Sequence, residues 1–320
     1  MITAEDVLAA EIRIAPYRNE IHHTPLMRSH YIGDLFGGDV WFKCENFQKT
    51  GSFKIRGAFS RLTLLTPEER SKGAVCYSSG NHSQGVSYAA KVLGIPVRVY
   101  MPENAVPAKV AACRAYGADV TLTGSTGAEA RPVALKDAEE SGSPYIDPVE
   151  DPAIMSGQGT AALEILRDLP ECENLFVPAG GGGLLSGISA AVKGIRPDIT
   201  VIGAEPELSA CVGTSFHRGE ITKVPRNKTL ADGLAGDAPG PMAFENVMHY
   251  VDDMVTVTED EIRNATKILL TKTKCYVEPS AAVSLAAMLK DPRAKGKKNV
   301  CFLSGGNADE NILADILKNA

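Results

Sequence analysis

The stretch Asn174-Leu-Phe-Val-Pro-Ala179, followed at once by Gly180-Gly-Gly-Gly183 and Leu184-Leu-Ser-Gly187, decides how this chain is read. A short, mostly apolar run ending in a glycine turn suits a strand buried on both faces. Four consecutive glycines lose much backbone entropy on folding, which makes a plain connector a costly reading. Bare N–H groups that cradle a phosphate at a helix start account for them. A dinucleotide site is the competing reading, because Glu205 ends the next strand where a ribose-binding acid would stand. The G-x-G-x-x-G spacing is not met, however. Counted from Gly181 the last glycine position holds Ser186, and counted from Gly180 it holds Leu185.

Outward from this segment, strand-like and helix-like stretches alternate. The sequence predicts strands at Asp39–Cys44, Ala74–Ser78, Val97–Met101, Asp119–Thr123, Asn174–Ala179, Thr200–Ala204, Asp253–Thr258 and Asn299–Leu303. Helix-length segments lie between them, including Asn81–Leu93, Ala105–Tyr116, Ile154–Leu169, Glu259–Thr273 and Pro279–Leu289. Thr258 with Glu261 reads as a capping box. This order predicts an α/β protein of parallel-rich sheets flanked by helices. The run from Ala74 to Ile146, bounded by turns at Thr66-Pro67 and Asp147-Pro148, is expected to form a unit of its own. Residues 73–145 would then be a small domain inserted in a large one made of 1–72 and 146–320, with a ligand cleft between them.

At 320 residues and 44% hydrophobic, the chain has enough material for a sizeable core. Its net charge of -6 and scattered Lys and Arg leave no basic stripe for nucleic acid or an anionic membrane. No apolar run approaches the ~20 residues of a membrane span. Glu5, Asp6 and Glu11 do not fit a secretory signal. Cys44, Cys76, Cys113, Cys172, Cys211, Cys275 and Cys301 are odd in number and never C-x-x-C. Buried free thiols and a cytoplasmic location are expected.

Three more segments carry chemistry. In Lys49-Thr-Gly51-Ser-Phe53-Lys54-Ile-Arg56-Gly57-Ala58 a glycine turn opens a helix with Lys54 in its first turn. The positive helix end and partial burial both push a lysine toward a neutral nucleophile. Alone, such a lysine would read as a solvated helix start. Ser78-Ser79-Gly80-Asn81-His82 joins a strand to a helix, where successive N–H groups can take a carboxylate; an ordinary cap by Ser79 or Asn81 is the plainer reading. Leu303-Ser304-Gly305-Gly306-Asn307 also ends a strand, and Ser304 either caps the last helix or faces a ring nitrogen. One cofactor uses a reactive lysine, a phosphate cup, a carboxylate nest and a partner for a heteroaromatic nitrogen: pyridoxal phosphate.

With these motifs, Phe42-Lys43-Cys44-Glu45, Gly157-Gln158-Gly159-Thr160 and Val257 to Ile262, the chain resembles fold-type II pyridoxal-phosphate enzymes from end to end. That family includes serine racemase and the serine/threonine dehydratases, and within it the wording is closest to serine racemase and the 3-hydroxyaspartate dehydratases. The resemblance implies that Lys54 binds the cofactor covalently and Phe53 packs against its ring. It implies that Asn81 bonds the 3′-oxygen and that Gly180, Gly181, Gly182, Gly183 and Leu184 hold the phosphate. Ser304 would face the pyridine nitrogen. Ser78, Ser79, Gly80, Asn81 and His82 would take the substrate carboxylate. Ser79 would be a second acid/base on the ring face opposite Lys54.

The activity implied is a dehydratase, or ammonia-lyase, acting on L-serine, L-threonine or 3-hydroxyaspartate. The alternative is a racemase, or both activities in one site. A nicotinamide-dependent dehydrogenase, from a different class, shares the α/β pattern and a glycine-rich turn. The family commonly forms homodimers and often holds Mg²⁺ or Ca²⁺ between two acids and a carbonyl. Glu205 and Ser209 match two of those ligands, but Cys211 replaces the second acid, which weighs against a hard cation. His22-His23 lack a third metal ligand, Trp41 reads as core and Asp252-Asp253 as a strand start; a β-carboxylate would need an extra cation, for which Arg131 is the candidate, with a plain surface residue the better reading.

Overall fold

The computed structural model describes residues 1–319. Nine strands form, at Leu26–Arg28 (β1), Asp39–Cys44 (β2), Ala74–Tyr77 (β3), Val97–Met101 (β4), Asp119–Leu122 (β5), Asn174–Pro178 (β6), Thr200–Pro206 (β7), Asp253–Val257 (β8) and Lys298–Leu303 (β9). The helices before the glycine run are Ala4–Ile14 (α1), His30–Phe36 (α2), Lys54–Leu62 (α3), Pro67–Lys72 (α4), Asn81–Leu93 (α5), Pro107–Ala115 (α6), Gly127–Ser141 (α7) and Pro152–Asp168 (α8). After it come Gly183–Ile195 (α9), Cys211–Arg218 (α10), Pro241–Tyr250 (α11), Glu259–Ile268 (α12), Pro279–Lys290 (α13) and Glu310–Asn319 (α14).

A six-stranded sheet runs β1-β2-β9-β6-β7-β8 and a three-stranded sheet runs β3-β4-β5. Every pairing is parallel except β1 with β2. Strands buried on both faces divide their side chains between two cores. In β6, Leu175 and Val177 pack toward the helices α1, α8 and α9, while Phe176 packs toward α12 and α13. A third core joins α3, α5 and the small sheet through Ile55, Phe59, Val86 and Val99.

All eight expected strands form, with ends shifted by a residue or two. The short edge strand β1 was not predicted; Leu26 and Met27 pack against the two cores, but three residues are too few to show a strand's alternation. The helix expected from Ala105 starts at Pro107, where the missing N–H costs nothing. The segment Glu259–Thr273 is α-helical only to Ile268, then widens into a π-turn ending at Lys274 with φ +63°. The Thr258–Glu261 capping box is present. All seven cysteines are free and buried, and Trp41 is half-buried against the core. No helix among the described residues is long and apolar enough to cross a membrane.

Candidate active site

Lys54 is placed by the loop in front of it. Gly51 adopts φ +71°, a left-handed conformation open to glycine. Ser52 then pairs with Gly305 across the end of β9, and the Phe53 N–H donates to the Ser304 carbonyl at 3.1 Å. Lys54 therefore opens α3 beside the carboxyl end of the large sheet. Its Nζ donates to the Pro148 carbonyl at 2.9 Å and lies 5.1 Å from the centroid of the Phe53 ring. Burial pushes the ammonium down to about 8, with Asp147 opposing weakly.

Behind this amine, α3 is anchored by a buried ionic network. The Arg56 guanidinium donates to both oxygens of Glu45 and both of Glu164, each at 2.8 Å. Lys43 donates to Glu164 at 2.6 Å and to the Thr24 carbonyl at 2.7 Å. Two cations against two carboxylates leave no net charge in the dry interior, and the network ties α3 to β2 and α8. Such a network is weak evidence for stability; removing one member would strand the others and cost about 3–5 kcal/mol.

The loop after β3 exposes the Ser79 hydroxyl, which has no partner among the described residues. Ser78 Oγ accepts from the Gly80 N–H at 3.1 Å. Gly80 is the residue that caps α5, and no side chain caps it, which overturns the plain capping reading for Ser79 and Asn81. The N–H groups of Ser79, Asn81 and His82 find no acceptor among the described residues. Asn81 is held by its side chain, donating to Glu278 at 2.7 Å and accepting from Asn307 at 2.8 Å. Burial, reinforced by Asp232, pushes the Glu278 carboxyl up to about 7. The His82 ring turns to the Ile146 carbonyl at 2.9 Å; burial and then Lys54 hold its pKa near about 3, so it is neutral.

Past β6, the N–H groups of Gly180, Gly181, Gly182, Gly183 and Leu184 donate to no acceptor among the described residues. Gly182, at φ +94°, caps α9. A Cβ on Gly181 would lie 2.9 Å from Val149, and one on Gly182 3.0 Å from Ala243, so the loop packs too closely for side chains. Ser304 is buried and its hydroxyl has no partner among the described residues. It does not cap α14, which begins six residues later with Asp309 accepting from the Asn311 N–H at 2.8 Å.

Apart from Arg131, every residue singled out from sequence for cofactor or substrate lines one cleft of about 300 Å³: Phe53, Lys54, Ser78 to His82, Gly180 to Leu184 and Ser304. Sequence reasoning missed Lys109, Pro148, Arg226, Asp232 and Glu278, which line it too. Glu278 had a local signal, as an acid directly before the Pro279 helix start. The others sit in loops or on a helix of another layer and reach the cleft only through the tertiary fold.

The remaining candidates lie elsewhere. Glu205 turns both carboxylate oxygens to N–H groups at the start of α10, Val212 at 3.1 Å and Gly213 at 2.5 Å. Cys211 Sγ donates to the Gly180 carbonyl at 3.2 Å, and Ser209 Oγ to the Gly236 carbonyl at 2.5 Å. One engaged carboxylate beside a thiol is a poor donor set for a hard cation, so no step is assigned to one. Among the described residues no three His, Cys, Asp or Glu side chains gather as a metal site. His22 faces the Phe47 carbonyl and His23 pairs with Asp168. Asp252 pairs with Lys193, Asp253 with Arg293, and Arg131 with Asp147.

A lysine amine shifted toward neutrality, sharing a cleft with five unused amide donors and an unused hydroxyl, fits a phosphorylated aldehyde with a ring nitrogen. The fold and cleft thus fit the class of enzymes that use a carbonyl cofactor. Comparison with known proteins narrows that class. The chain belongs to the family described as pyridoxal-phosphate dependent enzyme, whose model matches residues 17–306, and its fold is that of the fold-type II members. It is 43% identical over 317 residues to the L-threonine ammonia-lyase of Thermotoga maritima, covering 99% of this chain and 78% of that one. It is 38% identical to the L-threo-3-hydroxyaspartate ammonia-lyase of Saccharomyces cerevisiae, covering 98% and 96%. Maize serine racemase superposes with a TM-score of 0.92 at 37% identity, covering 98% and 96%. Pyridoxal 5′-phosphate is the cofactor, and the substrate is a small amino acid.

Proposed function

We propose that this chain is an ammonia-lyase that converts a small L-3-hydroxy amino acid (serine, threonine or 3-hydroxyaspartate) to a keto acid and ammonia. The observation that carries the reading is the buried Lys54 amine, shifted to about 8 and opening on the cleft beside the amide cup. When bound, the cofactor supplies an electron sink for negative charge at the substrate Cα. Lys54 fixes it and, once free, takes the Cα proton. The amides of Ser79, Asn81 and His82 receive the substrate carboxylate, and Asn81 is aligned for its oxygen contact by Glu278 and Asn307. The amides of Gly180 to Leu184 hold the phosphate. Ser304 offers a neutral hydroxyl to the ring nitrogen, so the nitrogen is not held protonated as a carboxylate would hold it. A ring nitrogen left without that proton would supply a weaker electron sink, which suits loss of a β-hydroxyl better than transamination.

A second reading rests on Ser79, whose unpartnered hydroxyl stands on the same cleft and can return a proton to Cα, giving the D-isomer. The proposal also includes a division at 73–145, a stretch that contains the three-stranded sheet, a homodimer suggested by the family resemblance, and a cytoplasmic location suggested by the free thiols.

The test is to incubate holoenzyme with L-serine, L-threonine and both L-3-hydroxyaspartate diastereomers, measuring keto acid, ammonia and D-isomer together. Equal keto acid and ammonia are expected, and Lys54→Ala should abolish both. Keto acid from none of the four, or full turnover by the variant, refutes the reading. Ser79→Ala should reduce the D-isomer more than the keto acid; equal retention of both removes Ser79 from the mechanism.

A further inference from the structure

The charges around the cleft have protein partners, with one exception, the solvent-exposed Arg226. Lys54 is bonded to Pro148, and Glu278 to Asn81. Lys109 faces Asp232 at 3.6 Å, and Arg131, which does not line the cleft, pairs with Asp147 at 3.2 Å. Arg226 also lines the cleft, from the irregular segment between α10 and Asp232, and it has no hydrogen bond or ion pair among the described residues. It lies close enough to the Tyr77 phenol, on the wall that continues into the Ser78–Asn81 loop, to act on it electrostatically. An unpaired guanidinium on that wall gains nothing from the methyl of threonine or the hydrogen of serine. It gains a paired, charge-assisted contact from a second carboxylate.

We propose that Arg226 sets the side-chain preference of the cleft by receiving the β-carboxylate of an acidic 3-hydroxy amino acid, with 3-hydroxyaspartate as the type. The assignment rests on the ammonia-lyase reading above, and it deepens that reading by naming the substrate class. Recognition is a binding event, so it is separable from elimination. L-Aspartate and L-alanine both lack the leaving hydroxyl, and each can be titrated into holoenzyme and followed by visible absorbance.

Wild-type protein is expected to bind L-aspartate at least about tenfold more tightly than L-alanine, the factor ordinary for one charged hydrogen-bonded contact. Arg226→Gln should erase that ratio, and Arg226→Lys should restore part of it. In turnover, the kcat/KM ratio of L-threo-3-hydroxyaspartate to L-serine should fall at least about tenfold in Arg226→Gln, mainly through KM. A wild type indifferent between L-aspartate and L-alanine, or ratios untouched by Arg226→Gln, overturns the assignment. Keto acid from no hydroxy-amino acid, with the L-aspartate preference intact, would instead overturn the ammonia-lyase reading and leave Arg226 in place.

Discussion

Lys54 shows how far a single side chain can be read before its surroundings are known. The sequence placed it at a helix start behind a glycine turn, and that much followed from local chemistry. The leading cause of its shifted pKa, burial against Phe53 and Pro148, comes from residues one and ninety-four positions away, and only the nearer was legible. At pH 7 a lysine near 8 is about one-tenth neutral, against about one in a few thousand for an unperturbed one. The neutral amine is the species that attacks an aldehyde. Uptake of pyridoxal phosphate by cofactor-free protein should therefore accelerate as pH rises and level off above a midpoint near about 8. A rate still climbing tenfold per pH unit at pH 9.5 would show an ordinary lysine. Arg226 and Asp232 mark the limit of the same reasoning. Nothing in their neighbours along the chain distinguishes a cleft-lining charge from a solvated one, because what matters is which loop the fold lays against the small sheet.

Elements were more legible than residues, and the reason is periodicity. Strands such as β6 and β9, buried on both faces, are apolar runs, and β4 alternates buried with half-buried residues, so both kinds announce themselves, whereas β1 is only three residues long. The helices α8 and α9 illustrate what patterning does not convey. Gly157-Gln158-Gly159-Thr160 was recognisable as a motif, but not as a packing device. In the fold, a Cβ on Gly159 would lie 2.4 Å from the Gly187 carbonyl, and one on Gly187 would lie 2.0 Å from the Met155 carbonyl. Backbone meets backbone there, with no flexible side chain to yield. Gly187→Ala should cost about 3 kcal/mol through forced separation of α8 from α9, read as a clear fall in Tm. A melting curve that overlays the parent's would mean the two helices have slack that their spacing denies.

At the scale of the molecule, the cleft follows from topology: parallel strands deliver their loops to one edge, and the residues that need to meet arrive there together. Fold class and the main walls of the cleft were therefore readable from strand-turn-helix order alone. Cation dependence also belongs to this scale, since the α10 helix start occupies the Glu205 carboxylate. Holoenzyme treated with EDTA, or supplied with Mg²⁺ or Ca²⁺, should keep its Tm within about 1 °C and its activity unchanged. A marked rise in either on adding the cation would show that Cys211 does not prevent binding.

The order of the large sheet has a consequence for biosynthesis. β1 and β2 join the other strands only through β9, whose residues lie at 298–303. A chain emerging from the ribosome must hold β1, β2 and the loop that carries the reactive amine without their neighbour until residues 298–303 have been made. Such long-range closure is slow. The unpaired edge of β2 is thus the surface a chaperone would have to shield during translation.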